Sequence, residues 1–409
     1  DNKNDVISNL DDILISSVKE SPLSDVEVGT FLSGGLDSSL ISSIAQKQNK
    51  NKIRTFSICF EDEDYNEQKY SRLVSDHIGS NHKEFMIKSF ELSEYFEKLC
   101  DVYDEPFADS SQIPTLILSE FASKDVKVCL TGDGADELFG GYNRYLLTEK
   151  IKSKSKYVPH ILKKLISSIV NNLNYKQLSK ISKIINQTLL NDEIPQINEK
   201  LQKFGKIFHL SGSLIDMYLS LIEVSSNIKN PIFNYSNESD SFFLNDKSIL
   251  DSTEKDTIQD LMNLDKKFYL TGDILHKVDR AAMYYGLETR VPFLNSKVVN
   301  FSNEIDLHLK INNNQNKYIL KQLAKKYIPD EIINRNKMGF SVPLDNWINK
   351  DSENMIGNLN KNKDFLINLG FNFDAILEHF EEHKIGKKNW SHLLWNLIIF
   401  NKWATKYAI

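Results

Sequence analysis

A glycine-rich turn that carries one aspartate, residues 33–39, has the residue types best suited to chemistry in this sequence. Its letters are SGGLDSS; an apolar segment precedes it, and a segment with helical spacing of apolar residues follows. A strand, a glycine turn and a helix in this order direct backbone N–H groups and the positive end of the helix dipole into one concavity, which suits an anion. Asp37 would repel a phosphate there unless a divalent cation lay between them. This Ser33 loop therefore indicates a magnesium–nucleotide complex, although seven residues alone also fit an ordinary connection.

A second glycine-rich segment, LTGDGADELFGGY at residues 130–142, places three carboxylates within five residues. They belong to Asp133, Asp136 and Glu137, and gathering them near a phosphate would be costly without a metal ion. An acidic surface loop is the alternative. The four glycines and the apolar pair Leu138–Phe139 fit a buried, closely approached backbone better. We expect this Gly132 loop to supply the second half of a metal and nucleotide site.

Other segments combine charge with a turn or a helix signal. DEPFADSS at residues 104–111 precedes a helical segment and offers an aspartate or a serine as its cap. The charges of KVDRAAM (277–283) and LETRVPFL (287–294) fit buried ion pairs that join a helix to the sheet. RNKMGFSVP at 335–343 places two cations beside a glycine, and a preorganised cation stabilises developing negative charge.

Alternating strands and helices must position these segments. Short segments rich in apolar and β-branched residues predict strands at residues 26–32, 55–60 and 126–130, and HKEFMI at 82–87 is a further predicted strand. Helical spacing predicts helices at 6–20, 66–78, 90–103 and 113–123. This alternation predicts the α/β class, with a parallel twisted sheet and helices on both faces. Such sheets bind ligands at the carboxyl ends of their strands, so the Ser33 and Gly132 loops should face one site.

The composition changes along the chain and predicts its domains. Residues 1–145 form the predicted sheet core, and 146–270 form a helical region rich in Lys, Asn, Ile and Ser without a chemical motif. Residues 271–409 form the predicted helical C-terminal part that closes the site, with tryptophans as core anchors. His379 and His383 share a helix face there, but their spacing does not match HExxH, and we expect a solvated face instead of a metal site.

Charge and cysteine content limit the classes of partner. The 409 residues carry a formal net charge of −6, which argues against nucleic acid or an anionic membrane as the main partner, although a local basic patch is compatible with this total. No apolar run reaches the ~18 residues of a membrane-spanning helix, and no signal peptide is recognisable. Cys59, Cys100 and Cys129 are scattered, and we expect reduced core residues of a cytoplasmic protein.

Taken in order, these segments resemble the motifs of a known family. SGGLDSS after an apolar strand is similar to the pyrophosphate loop of the ATP pyrophosphatase (PP-loop) superfamily, whose fold is adenine nucleotide α-hydrolase-like. The remaining segments resemble, more narrowly, the synthetase domain of glutamine-hydrolysing, bacterial B-type asparagine synthetases. Two departures, Ala282 for the usual serine and Asn295 for the usual aspartate, concern the fine detail of substrate binding more than the reaction.

The resemblance implies roles residue by residue. Asp37 and Asp136 would hold Mg²⁺ against the pyrophosphate, and Lys337 would face the α-phosphate and the developing oxyanion. Catalytic roles are implied for Lys337, Asp37 and Asp133, and Asp133 would face the amino-acid substrate and the reacting amine. The residues implied to contact the substrate are Asp109, Ser110, Asp133 and Arg290, and those implied to bind the nucleotide are Leu32, Ser33, Gly34, Gly35, Asp37, Ser38, Ser39, Ile58, Thr131 and Gly132.

The reaction implied by the resemblance is ATP-dependent amidation of L-aspartate. The side-chain carboxylate would attack the α-phosphorus of MgATP, release pyrophosphate and give β-aspartyl-AMP, which ammonia would convert to asparagine and AMP. In that family an upstream glutaminase domain with an N-terminal cysteine supplies the ammonia. Residue 1 here is Asp, so we expect the 409-residue chain to use free ammonia and not to hydrolyse glutamine. The implied partners are these small molecules, the upstream domain and a second copy in a homodimer.

Two alternatives stay open from the sequence. β-Lactam synthetases and lasso-peptide cyclases share this domain and activate another carboxylic acid to close an internal amide. A nucleotide-binding module without catalysis is the second alternative, and the retained Asp37, Asp136 and Lys337 argue against it. The carboxylic acid that triggers pyrophosphate release distinguishes the first alternative, and ATP binding without AMP formation would identify the second.

Overall fold

The computed structural model divides the chain into two compact units. One comprises residues 1–142 and 262–342, and the other comprises 143–261 and 343–409. Of the predicted cation segment 335–343, only Arg335 is described, and Lys337 lies outside the described residues. The described residues are 3–21, 27–60, 67–87, 89–173, 177, 180, 201, 204–205, 207–222, 232–233, 257–335 and 344–408.

A parallel sheet lies at the centre of the first unit. Its strands are β1 (Val28–Phe31), β2 (Arg54–Phe60), β3 (Asn81–Ile87), β4 (Val128–Leu130) and β5 (Glu288–Arg290). Their order across the sheet is β3-β2-β1-β4-β5, and every neighbouring pair is parallel. The prediction of a parallel α/β sheet is confirmed. The sequence pattern predicts four of these strands but misses β5, whose sequence ETR lacks the apolar run of a buried strand.

Helices connect the strands and continue through the second unit. Up to residue 142 they are α1 (Lys3–Glu20), α2 (Leu36–Gln48), α3 (Gln68–Ile78), α4 (Ser89–Tyr103), α5 (Gln112–Ser123) and α6 (Ala135–Phe139). Next come α7 (Asn143–Ser155), α8 (His160–Asn172), α9 (Leu214–Ile222), α10 (Ile258–Leu264) and a π-helical stretch, Asp265–Leu275. Then follow α11 (His276–Tyr284), α12 (Ser296–Glu304), α13 (Leu307–Lys310), α14 (Tyr318–Ala324), α15 (Asp330–Ile333), α16 (Leu344–Lys361), α17 (Lys363–Asn368), α18 (Phe373–Lys384) and α19 (Ser391–Tyr407).

A continuous apolar core packs α1, α2 and α14 together beside the sheet. Leu10, Leu14, Leu40 and Leu320 are fully buried in it. Full burial of each such side chain is worth about 1.5–3 kcal/mol relative to exposure. A separate group of helices, α4, α5 and α11, packs together, and α5 covers β2. The helices thus flank a sheet whose strand ends carry the two glycine-rich loops.

The two units divide the chain differently from the predicted domains. The predicted end of the sheet core at residue 145 lies close to the observed change of unit after Tyr142. The predicted region 271–409 is divided instead of forming one part. Residues 271–342 belong to the sheet unit because they supply β5 and the apolar helices of its core, whereas 343–409 belong to the second unit.

The described part of the second unit is helical. Within it, α16 packs against α18 and α19, and the rings of Trp347 and Trp395 lie 5.1 Å apart. The predicted solvated face of His379 and His383 is wrong, since both side chains are buried. The ring of His379 stacks on Trp390 at 4.2 Å, and Nδ1 of His383 accepts the backbone N–H of Trp390 at 3.2 Å. No helix within the described ranges is both long and apolar enough to cross a bilayer.

Candidate active site

The Ser33 loop begins where β1 ends and leads directly into α2. Gly34 has φ +75°, and a Cβ there would lie 2.6 Å from the backbone N of Ser71 in α3, so glycine is required. Ser33 Oγ lies 3.0 Å from Ser38 Oγ and accepts the N–H of Gly35 at 3.2 Å. The loop is therefore held by its own hydroxyl groups and by α3. The N-terminus of α2 follows it at once, and its N–H groups and dipole favour an anion.

The Gly132 loop touches the Ser33 loop directly. A Cβ at Gly132 would lie 2.7 Å from the backbone N of Ser38 and 3.1 Å from Cβ of Asp37, so only the absence of a side chain lets the two backbones meet. The preceding Thr131 donates its backbone N–H to the carbonyl of Arg290 at 2.9 Å, which ties the loop to the end of β5. The two loops form one surface beyond the carboxyl ends of β1 and β4.

A buried lysine joins these loops. Nζ of Lys317 lies 2.7 Å from Oδ1 of Asp136 and also contacts Oδ2 of Asp37. Lys317 stands immediately before α14 with φ +53°. Its side chain runs so close to Gly141 that a Cβ there would lie 2.2 Å from Cε of Lys317. Two carboxylates from different loops thus converge on one cation position.

The surrounding charges keep Lys317 protonated. Burial by itself lowers the pKa of an ammonium group, but the carboxylates of Asp136 and Asp37 outweigh burial and hold the pKa of Lys317 above its ordinary value. The ammonium side chain is 7% exposed, whereas those of Asp37 and Asp136 are 20% and 17% exposed. The two carboxylate side chains are thus less buried than the lysine that they contact.

Two other acids of the Gly132 loop bind protons more readily than usual. Burial raises the pKa of Asp133, while the neighbouring Thr131 and the charge of Lys277 oppose this effect only in part. Burial also raises the pKa of Glu137 to about 7, and Oε1 of Glu137 accepts a hydrogen bond from the Tyr142 hydroxyl at 2.5 Å. Both acids can therefore change protonation state closer to neutral pH than an exposed carboxyl group would.

A second buried lysine anchors the DEPFADSS segment. Nζ of Lys277 lies 2.8 Å from Oδ1 of Asp109 and 3.3 Å from Oδ1 of Asp273. Asp109 also accepts the backbone N–H of Ser111 at 2.8 Å. Burial raises the pKa of Asp109, but Lys277 outweighs burial and keeps this pKa below its ordinary value. The ion pair joins α11 to the segment before α5, which is the scaffold role that the charge pattern of KVDRAAM predicts.

Comparison with known proteins decides the family. The profile of the family described as asparagine synthase matches residues 9–405. The chain belongs to the asparagine synthase family. A relative named asparagine synthetase [glutamine-hydrolyzing] 1, from Bacillus subtilis, is 30% identical over 400 residues, which are 97% of this chain and 59% of that protein. A putative asparagine synthetase [glutamine-hydrolyzing] from Mycobacterium bovis is 28% identical over 397 residues, or 96% of this chain and 56% of that protein. The chain thus spans somewhat more than half the length of these relatives.

A third relative matches a shorter stretch more closely. It is a putative asparagine synthetase [glutamine-hydrolyzing] 2 from Methanocaldococcus jannaschii, 44% identical over 135 residues. That stretch covers 33% of this chain and 26% of the relative.

The residues predicted for an asparagine synthase site are not all brought together. Leu32 and Ile58 are buried at 1% and 6% exposure, and Ser110 is half-buried before α5. The guanidinium of Arg290 bonds Glu288 Oε1 at 2.8 Å and the carbonyl of Ser21, and the backbone carbonyl of Arg290 accepts the N–H of Thr131. The predicted residues on the two touching loops are Ser33, Gly34, Gly35, Asp37, Ser38, Ser39, Thr131, Gly132, Asp133 and Asp136.

Sequence reasoning missed the role of Lys317. No motif surrounds this lysine, and it lies 280 residues after Asp37. The available signal was a charge imbalance, because the carboxylates of the two loops require a buried cation when no metal is bound. An imbalance shows that a cation is needed but does not show which of many lysines supplies it.

Arg335 holds the Ser33 loop from the side of α3. Its Nη1 donates to the carbonyl of Gly34 at 3.2 Å, its Nη2 forms an ion pair with Glu67, and its guanidinium lies 4.0 Å from the centre of the Tyr70 ring. Burial raises the pKa of Glu67, and the charge of Arg335 opposes this effect only in part. The sequence marks Arg335 as a cation beside a glycine, but Glu67 and Tyr70 carry no motif that could have identified them.

The residues of the site fit a magnesium ion. Asp37 and Asp136 present oxygens to a single cation position, which Lys317 contacts here. No cluster of three or more His, Cys, Asp or Glu side chains suited to a metal occurs in the part of the chain that the structure describes. Magnesium is commonly held by one or two carboxylates together with substrate phosphates, so this pair suits an ion that arrives with a nucleotide.

Proposed function

We propose that this chain carries out the synthetase half of asparagine formation. ATP and L-aspartate would give β-aspartyl-AMP and pyrophosphate, and ammonia would then give asparagine and AMP. The observation that carries the proposal is the convergence of Asp37 and Asp136 on Lys317 where the Ser33 and Gly132 loops touch. The family and the names of the relatives support the substrate class.

The Ser33 loop would bind the phosphates that leave. Backbone N–H groups at its glycines and at the start of α2 can donate to phosphate oxygens, and the helix dipole adds positive potential. The hydroxyl groups of Ser33 and Ser38 already bond one another at 3.0 Å, so they are oriented before a ligand arrives. Lys317 adds a buried positive charge next to this surface. Such preorganised groups stabilise the charge that develops on pyrophosphate as the bond to the α-phosphorus breaks.

Asp37 and Asp136 would hold Mg²⁺ at the same place. When bound, the ion supplies positive charge that neutralises the phosphates and withdraws electron density from the α-phosphorus. Because Lys317 already contacts both carboxylates, its ammonium would have to share them or move toward a phosphate oxygen when the nucleotide arrives. The chain would thus exchange one cation for another without leaving the carboxylates uncompensated.

Asp133 would handle the proton of the second half-reaction. When ammonia attacks the activated carbonyl, the nitrogen must lose a proton before the amide is complete. Asp133 has a raised pKa and lies beside the charges of Lys277 and Asp136, so it can accept that proton more readily than an ordinary aspartate. Lys277 keeps Asp109 in place in the adjoining segment, which we assign to the substrate side of the site.

Lys337 would complete the site as the cation that faces the α-phosphate. Arg335, two residues earlier in the sequence, bonds the carbonyl of Gly34 in the Ser33 loop, which supports this assignment.

The test is an assay with ATP, Mg²⁺, L-aspartate and ammonium, in which AMP, pyrophosphate and asparagine are quantified. We expect the three products in equal amounts. Asp136→Asn and Lys337→Ala should lose most of this activity, whereas Lys350→Ala, at an exposed position of α16, should not. Formation of ADP in place of AMP would contradict the mechanism.

Other outcomes of this assay separate the alternatives. Pyrophosphate release with another carboxylic acid, but not with aspartate, would assign the chain to the synthetases that close an internal amide. ATP binding without AMP formation would identify a nucleotide-binding module. Ammonium is the nitrogen source in this assay so that amide formation is measured without a glutamine-hydrolysing step.

A further inference from the structure

Helix α8 has its polar side turned inward and its apolar side turned outward. Its buried residues are Lys163 and Ser167, and Ser167 Oγ bonds the carbonyl of Gly205 and lies 3.2 Å from Nδ1 of His209. A helix that packs on a protein by its apolar face shows the opposite arrangement. The exposed side chains are Ile161, Leu162, Leu165 and Ile169, at 76%, 47%, 55% and 62% exposure.

These exposed side chains form one continuous apolar face. At 3.6 residues per turn, the four positions fall within an arc of ~100°. The side chain of Tyr157, just before the helix, is 89% exposed and extends the apolar surface. We call these five residues the α8 face. Contiguous exposed apolar surface of this kind is uncommon on a protein that has no partner there.

The segment that contains the α8 face carries an excess of positive charge, and Lys164 lies on α8 itself. Residues 143–173 contain seven Lys or Arg and one Glu, whereas the chain as a whole has a net charge of −6. Four of these lysines are exposed and form no ion pair with another residue that the structure describes, namely Lys150, Lys154, Lys156 and Lys164. The net charge of the whole chain argues against an anionic partner, but that total does not reveal the local excess of positive charge in residues 143–173.

We propose that the α8 face docks on an anionic phospholipid surface, with α8 lying in the plane of the interface. Its apolar side chains would enter the boundary of the acyl chains, and the lysines would reach the headgroups, as in interfacial amphipathic helices. Tyrosine is favoured at such interfaces because it has an apolar ring and a polar end. A helix of 13 residues is too short to span a bilayer, so docking would be peripheral.

Two other occupants fit the observations less well. A second copy of the chain would bring two lysine-rich segments together, and like charges at close range oppose association. An acidic protein would need a groove shaped to this helix face, whereas a lipid surface adapts to it. The proposal is independent of the proposed enzymatic function, because it requires neither ATP nor activity.

The experiment is co-sedimentation of the full chain with vesicles of phosphatidylcholine alone or mixed with phosphatidylglycerol. We expect binding only to the anionic vesicles, weakening as salt is added. Leu165→Ser should reduce the affinity for anionic vesicles about tenfold or more, because the burial of one leucine side chain contributes at least a tenfold change in affinity. Leu165→Met should leave the affinity unchanged. Lys164→Gln should weaken binding, and Lys164→Arg should restore it.

Four results would overturn the proposal. The first is a lack of binding to anionic vesicles, and the second is binding that Leu165→Ser leaves unchanged. A dimer in solution that Leu165→Ser dissociates would assign the α8 face to a second copy, and retention on polyglutamate without vesicle binding would assign it to an acidic protein. Thermal unfolding checks that the variants are folded. Because Leu165 is exposed, we expect Leu165→Ser to leave the melting temperature unchanged.

Discussion

Replacing Lys317 with methionine should destabilise the chain and make it more dependent on magnesium. Methionine keeps an unbranched apolar side chain but removes the ammonium that contacts Asp37 and Asp136. The two carboxylates would then lie close together without the charge of Lys317 between them. Like charges at this separation repel, and only a metal ion or protonation would relieve the repulsion.

The size of the effect follows from the burial of the group. Removing one partner of a buried ion pair costs about 3–5 kcal/mol. Because the side chains of Asp37 and Asp136 are 20% and 17% exposed, water can partly solvate them, and we expect the lower end, about 3 kcal/mol. The pKa of Lys317 is raised from 10.5, so its stabilisation is fully present below that value and is lost as pH rises through the higher folded-state pKa. Measurements at neutral pH therefore capture the whole effect.

Urea unfolding at neutral pH, with EDTA and with excess Mg²⁺, measures this effect. In EDTA we expect Lys317→Met to lose about 3 kcal/mol of unfolding free energy. Magnesium should recover most of that loss, since a ligand at a hundred times its Kd stabilises by about 2.7 kcal/mol. The matched control is Lys321→Met, one turn further along the chain, in α14. Within the described residues, Lys321 contacts no pair of carboxylates of the kind that Lys317 contacts. The control should show no dependence on magnesium.

Two results would refute this reasoning. If Lys317→Met unfolds at the same urea concentration as the natural chain in EDTA, the ammonium does not compensate the two carboxylates. If the variant is destabilised equally with and without magnesium, Asp37 and Asp136 do not share a cation position that a metal can occupy. Either result would also weaken the proposed role of the two aspartates in holding Mg²⁺.

Three further predictions concern the loop contacts and the buried histidines. Arg335→Lys should raise the KM for ATP about tenfold and change kcat less, because the hydrogen bond to the Gly34 carbonyl and the contact with the Tyr70 ring are lost. Steady-state kinetics would measure both constants, and an unchanged KM would contradict the prediction. Gly132→Ala should weaken ATP binding and lower the free energy of unfolding by about 1–3 kcal/mol, because the new Cβ would lie 2.7 Å from the backbone N of Ser38. Calorimetric titration would measure the ATP affinity, and urea unfolding would measure the stability. Burial lowers the pKa of His82 and His383 in the folded chain from 6.5. As the pH drops below 6.5, these histidines therefore bind protons more readily in the unfolded chain than in the folded chain, and the free energy of unfolding should fall. Replacing either histidine with glutamine should flatten this decline in urea unfolding, and an unchanged slope for both variants would exclude them as its source.

The parts of the fold that depend on nearby residues could be predicted from the sequence. The four predicted strands, the helices between them and the parallel sheet follow from patterns within a few residues. The short strand β5 was missed because its pairing with β4 depends on the sheet and not on its own composition. The buried positions of His379 and His383 were missed for a similar reason, since their spacing on the helix does not reveal that α18 packs against α16 and α19.

The candidate site divides in the same way. Sequence alone determined the Ser33 and Gly132 loops, because glycine turns and helix starts are set by local backbone geometry. Only the tertiary structure decided which cations contact these loops. Lys317 contacts Asp37, which lies 280 residues earlier in the sequence, and Arg335 bonds the carbonyl of Gly34, which lies 301 residues earlier. It also showed that the side chain of Arg290 bonds Glu288 and the carbonyl of Ser21. The physical reason is that a buried charge requires a partner but does not specify where along the chain that partner comes from, and only the packing of the helices around the sheet selects it.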